Sequence, residues 1–237
     1  MTDGVLITRP EPGGGETAAR VAALGFRPIV APLLEIRELR TQLPPSGTVQ
    51  AVVAASGNAI PPLPRSHFDL PLFAVGEATA ARARAAGFVR VSSADGDAAA
   101  LAALVAQSCD AHAGPLLLAC GRGQGTALVA KLRTRGFAVI RRVVYAAVPV
   151  DTLPNVARDA LAAGALRAAM FFSAETARQC MTLLNAAELG ETVRPVEALA
   201  IGKPAAMALE GLPWRRIRVA ARPNQDAMLA LLDARTD

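Results

Sequence analysis

Short apolar runs alternate along the chain with stretches in which apolar residues recur three and four positions apart. VLI at 5–7, AVVA at 51–54, LFAV at 72–75, LLLAC at 116–120, AAMFF at 168–172 and EALAI at 197–201 are too short for helices and predict buried strands. Between such runs the period changes. Leu101, Leu104 and Val105 share one helix face, as do Leu128, Val129 and Leu132. Alternation of this kind predicts an α/β protein with parallel sheets flanked by helices on both sides. In such sheets ligands gather at the carboxyl ends of the strands.

The same pattern repeats once. GVLITRP at 4–10 pairs with GPLLLACG at 114–121, GETAARVAALGF with GTALVAKLRTRGF, and RPIVAPLLEIREL with AVIRRVVYAAVPV. The order continues with VQAVVAASGNA against RAAMFFSAETA, then LPLFAVGEATAARARAAGF against VEALAIGKPAAMALEGLP. It closes with VRVSSADGDAAALAALVA against RRIRVAARPNQDAMLALLDA. Six segments in one order predict an internal duplication, so two similar lobes.

Composition narrows the chemistry. The 237 residues hold 2 histidines, 3 cysteines, 1 tyrosine and a net charge of +5. Cys109, Cys120 and Cys180 form no C-x-x-C pair, and no His, Cys or carboxylate cluster has ligand spacing, so no metal site is expected. With so few histidines a Ser/His/Asp triad is disfavoured. No export signal or membrane span is predicted, which makes a cytoplasmic location the expectation. The arginines are scattered and stacking aromatics are few, so nucleic acid is not the expected partner, while a polyanionic small molecule suits the charge.

Polar residues concentrate at the strand-to-helix turns: Thr8-Arg9-Pro10, Ser56-Gly57-Asn58, Gly76-Glu77-Ala78-Thr79, Cys120-Gly121-Arg122-Gly123, Ser173-Ala174-Glu175-Thr176 and Gly202-Lys203-Pro204. Backbone N–H groups at the positive end of a helix dipole favour anions, which makes these turns candidate carboxylate sites. Each also has a purely structural explanation: Ser173 and Thr79 as cap or first-turn residues, Gly76 and Gly202 as turn formers, Pro204 as a first helical residue. GRGQG at 121–125 has G-x-G-x-G spacing, not G-x-G-x-x-G, and the following strand FAVIRRVVY ends without a ribose-binding acid. No Gly-Lys-Ser/Thr occurs either, so a nucleotide-dependent enzyme is disfavoured.

VLITRPEP, ALGFRPIVAPLLEI, AVGEATAARARAAGF, the strand ending VVYAAVP, FFSAETA and AIGKPAAMALEGLP together resemble uroporphyrinogen-III synthases over nearly the whole chain. The resemblance implies two α/β lobes, formed by residues 1–36 with 149–237 and by 39–146, joined by a two-stranded ladder around 34–39 and 143–149. The active site would lie in the cleft between them. It implies a monomeric, cofactor-independent lyase that cyclises hydroxymethylbilane, a polycarboxylate tetrapyrrole precursor, with inversion of ring D, and transient contact with the bilane-producing enzyme. Tyr145 falls on the family tyrosine that helps the substrate hydroxyl leave. Ser56, Thr79 and Ser173 fall on substrate-contacting positions. Arg9, Arg122 and Lys203 are the cationic candidates, with Gly76, Gly121 and Gly202 in the binding turns.

The chain departs from the family in two places. Lys203-Pro204-Ala205 replaces one or two threonines after IG, and Ala54-Ala55-Ser56 lacks the usual threonine before the serine. Pro61, Pro62 and Pro64 are expected to shorten the helix that follows. The alternative reading is a non-catalytic cytoplasmic two-lobe module that grips an anionic small molecule or tetrapyrrole.

Overall fold

The structure, a computed structural model, describes residues 3–233. The chain begins with β1 (Gly4–Ile7), α1 (Gly13–Ala23), β2 (Arg27–Val30) and β3 (Leu34–Glu38). Next come β4 (Ala51–Ala54), β5 (Leu72–Ala74), α2 (Glu77–Ala86), β6 (Val91–Ser93), α3 (Ala98–Ser108), β7 (Leu116–Gly121), α4 (Thr126–Arg133) and the long β8 (Val139–Pro149). It ends with α5 (Asn155–Ala162), β9 (Leu166–Phe171), α6 (Ala174–Ala186), β10 (Glu197–Ala200), α7 (Lys203–Met207), β11 (Arg216–Val219) and α8 (Gln225–Asp233).

These elements form two compact units, Met1–Glu35 with Val148–Asp237 and Ile36–Ala147. One sheet has the order β11-β10-β9-β1-β2 and the other β3-β8-β7-β4-β5-β6. Within them β1, β2, β9, β10 and β11 pair in parallel, as do β4 to β8. Read as β2-β1-β9-β10-β11 and β8-β7-β4-β5-β6, the two orders match strand for strand along the pairs that the sequence repeat aligns. Register agrees as well. Met170 sits between Ile7 and Leu199 in the first sheet, as Val53 sits between Leu118 and Phe73 in the second. The first sheet takes two strands from the first repeat and three from the second, the six-stranded sheet four from the first and two from the second, so neither repeat makes a sheet alone.

Alternate strand residues enter opposite layers of core, as the period-two geometry of a strand requires. In the first unit Leu6, Ala169 and Phe171 face one layer, while Val5, Ile7 and Met170 face the other. In the second, Val52, Leu117 and Ala119 face one layer, and Val53, Leu116 and Leu118 the other. The predicted helix faces are buried: Leu101 and Val105 on α3, with Leu104 half-buried beside them, and Leu128, Val129 and Leu132 on α4. No helix among the described residues is long and apolar enough to cross a membrane.

The segment after β4 contains no α-helix. Its only helical pieces are the three-residue 3-10 turns Gly57–Ala59 and Arg65–His67. Pro61, Pro62 and Pro64 explain this, since each lacks the N–H of a helical turn and its ring clashes with the preceding one.

Candidate functional site

In the second unit, the carboxyl ends of β4 and β7 and the interior of β8 bring Ser56, Gly121 and Tyr145 together. Tyr145 is 3% exposed, and the register shifts beside it so that Gly121 is opposite Tyr145. The ring packs directly on that glycine. A Cβ at Gly121 would lie 2.7 Å from Tyr145 Cζ and 2.9 Å from its hydroxyl, closer than side-chain atoms pack. The Arg122 amide donates to the Tyr145 carbonyl at 2.9 Å and anchors the same strand. The hydroxyl donates to Gln124 Oε1 at 2.9 Å, and Ser56 lies close enough to act on its ionisation.

Burial pushes the Tyr145 phenol above its ordinary value of about 10, and the neighbouring Ser56 and Gln124 side chains offset this only in part. The balance leaves it raised and therefore protonated at neutral pH. The site thus contains a proton donor placed among hydrogen-bonding partners.

Ser56 also caps the 3-10 turn after β4, accepting from the Asn58 amide at 3.3 Å. The Arg82 side chain crosses this turn from α2: a Cβ at Gly57 would meet Arg82 Nη1 at 2.6 Å. Beside β4, strand β5 leads into α2 through Gly76, whose extended backbone carries no side-chain cap. Thr79 lies in the first turn of α2 and is 7% exposed. Arg122 extends from the glycine-rich loop with its side chain exposed.

The first unit has the equivalent strand ends with different contents. Arg9, after β1, is half-buried; Nη1 donates to Thr17 and Gln225 at 3.3 Å each, and the guanidinium lies 4.5 Å from the Phe172 ring centroid. Gly13 leaves room for it, since a Cβ there would sit 2.5 Å from the guanidinium. The next turn holds Ser173, whose Oγ accepts from the Thr176 amide at 3.1 Å and caps α6. Gly202 is extended and precedes α7, and Lys203 is exposed.

Three of the anticipated turns differ from simple anion sites. At the N-terminus of α1 the chain's own Glu11 carboxylate accepts from the Gly15 amide at 2.9 Å, so the position favoured for a ligand anion is already occupied. At α6 the Ser173 hydroxyl takes one of the open amides. Helix α7 has only five residues, too few to build much of a dipole after Gly202. The Gly76 turn retains an uncapped helix start.

Gln124 and Arg82 were not anticipated from the sequence. The signal for Gln124 was its place between two glycines in GRGQG. Gly123 and Gly125 have φ of +75° and +87°, a left-handed backbone that suits glycine, and they direct the intervening side chain toward the phenol. Arg82 gave no signal, because its contact with Gly57 joins residues far apart in sequence.

Among the described residues, no group of three or more His, Cys, Asp or Glu could hold a metal ion. The buried Glu197, at the amino end of β10, pairs with Arg216 at 2.8 Å and Arg218 at 3.4 Å. Burial raises its pKa, but the two arginines outweigh that and hold the carboxyl below its usual range. It lies at the opposite strand end from the turns above and serves as an internal ion pair.

The family model described as Uroporphyrinogen-III synthase HemD matches residues 15–230. A solved uroporphyrinogen-III synthetase from Helicobacter pylori shares 18% identity with 99% of each chain covered and a TM-score of 0.64, a similarity of fold. A mutant uroporphyrinogen III synthase from the extremely thermophilic bacterium Thermus thermophilus shares 19% identity over 98% of each chain, with a TM-score of 0.49. No curated protein matches the sequence.

Proposed function

The chain belongs to the uroporphyrinogen-III synthase family of haem biosynthesis, and from that premise we propose that it closes hydroxymethylbilane into uroporphyrinogen III with Tyr145 as proton donor. The observation that carries the residue assignment is the buried phenol, packed on Gly121 at the end of β7 and donating to Gln124.

The reaction requires only a mild acid. The pyrrole nitrogen lone pair expels the terminal hydroxyl, the C–O bond breaks, and the phenol proton converts the departing hydroxide to water. The electrophilic azafulvene carbon is then attacked by the substituted carbon of ring D, giving a spiro intermediate that fragments and recloses with ring D inverted. One pyrrole proton is surrendered as aromaticity returns, and it restores the phenol. The balance is loss of one water with no change of oxidation level, so the reaction class is a cofactor-independent lyase.

Holding one folded conformer supplies the rest. Well-oriented intramolecular reactions gain up to roughly 7–11 kcal/mol from positioning. The substrate's carboxylates would be held by the uncapped amides after Gly76, by Thr79 and by Arg122. In this reading the polypeptide positions and the substrate's own pyrroles react.

Tyr145→Phe tests the assignment. The expected result is a loss of about 10²-fold in kcat, the lower end of what general acids contribute, with type III product still formed by residual turnover. Wild-type rate in Tyr145→Phe would overturn the role of the phenol. Wild-type protein that binds the bilane but yields no type III product would favour a binding module.

A further inference from the structure

The glycine-rich loop GRGQG has no nucleotide spacing, yet its backbone is closely held. Left-handed Gly123 and Gly125 bracket Gln124; its amide nitrogen donates to the Gly121 carbonyl at 3.0 Å and its carbonyl accepts from Arg141 Nε at 2.8 Å. The loop also packs tightly on β7, since a Cβ at Gly125 would meet Cys120 Sγ and Leu118 Cδ2 at 3.2 Å. The one side chain this frame presents to the phenol is the Gln124 amide, 2.9 Å from the Tyr145 hydroxyl.

We propose that Gln124 is a positioning residue for the proton transfer, holding the Tyr145 proton before reaction and donating to the phenolate oxygen after it. The inference rests on the synthase reading above. An amide has both an acceptor oxygen and two N–H donors, so a half-turn about its last torsion exchanges one for the other. With Oε1 toward the phenol, the amide accepts its proton. When the substrate hydroxyl takes that proton, Nε2 can face the phenolate and donate to it. A phenolate formed in a buried site needs such a donor, because burial disfavours its charge. A carboxylate at this position could only accept and would oppose the negative charge.

Other groups near the phenol do not supply this exchange. Ser56 on the β4 turn lies near the phenol, but its Oγ makes its hydrogen bond with the Asn58 amide at 3.3 Å, as the cap of the 3-10 turn. Cys120 on β7 donates to the Arg142 carbonyl at 3.5 Å. From α2, Arg82 lies against Gly57. On β8 itself, Arg141 serves the Gln124 carbonyl and Arg142 donates to the Gln42 carbonyl at 3.0 Å.

Because the chain has 1 tyrosine, the ultraviolet absorbance of tyrosinate reports Tyr145 alone in the intact protein. Its titration would be followed in wild type, Gln124→Ala and Gln124→Glu, beside kcat and KM for hydroxymethylbilane. The expected midpoint rises from wild type to Gln124→Ala, and by about one pH unit in Gln124→Glu, where a like charge is added. kcat should fall about tenfold in Gln124→Glu with KM little changed, and recover in part as the new carboxyl is protonated at lower pH. In a Tyr145→Phe background the same change should have no further effect, because both residues act in one step.

Unmoved midpoints in both variants would overturn the proposal, as would equal kcat losses in the presence and absence of the Tyr145 hydroxyl. If wild type made no type III product, the synthase reading would fail and the catalytic role with it. The titration would still decide whether Gln124 controls the phenol, so the two failures are distinguishable.

Discussion

Tyr145 meets a different partner on each side, and each constrains it differently. Gly121 matters by what it lacks. Its buried position leaves the phenol ring the space a methyl group would occupy, so Gly121→Ala must push the ring or β7 aside. A destabilisation of about 1–3 kcal/mol is expected from overpacking, seen as a lower Tm, with kcat reduced because the hydroxyl leaves its partners. Unchanged Tm and kcat would mean that the strand end yields freely. The sequence singled out both residues, Tyr145 as the lone phenol and Gly121 as part of a turn. It did not show that one makes room for the other, because their contact runs across neighbouring strands and depends on the register shift at Cys120 and Gly121.

At the level of elements, the turns share a position in the fold but not a purpose. Ser173 caps the thirteen-residue α6 through the Thr176 amide. Ser173→Ala should therefore cost about 1 kcal/mol of stability, as loss of a serine cap usually does, measurable by denaturant unfolding. If the hydroxyl also binds substrate, KM should rise more than this stability loss explains. A KM equal to wild type would confine Ser173 to capping. The N-terminus of α1 is filled by Glu11, which sequence reasoning missed because the bond depends on how Pro10, Glu11 and Pro12 lead into the helix. The prolines after β4 were legible for a simpler reason: absence of an N–H at Pro61, Pro62 and Pro64 breaks a helix whatever surrounds it.

For the whole molecule, burial of Tyr145 makes stability depend on alkaline pH. Its folded pKa is raised above the unfolded value of about 10, so between the two values the native state binds more protons than the unfolded one. The stabilisation is complete below about pH 10 and is lost as pH rises through the folded value. Equilibrium unfolding of wild type should weaken across that range more steeply than in Tyr145→Phe, and parallel curves would argue against the raised pKa. By itself the sequence determined the α/β class, the strand-by-strand duplication and the chemistry left to a chain with 2 histidines and 1 tyrosine. Those properties follow from periodicity and composition, which local order preserves. Only the tertiary structure decided that Gln124 accepts from the phenol, that Arg82 covers Gly57, and that Arg9 is engaged by Thr17, Gln225 and Phe172. The reason is that parallel strands distant in sequence deliver their ends to one edge, and hydrogen-bond partners there are chosen by register and backbone direction.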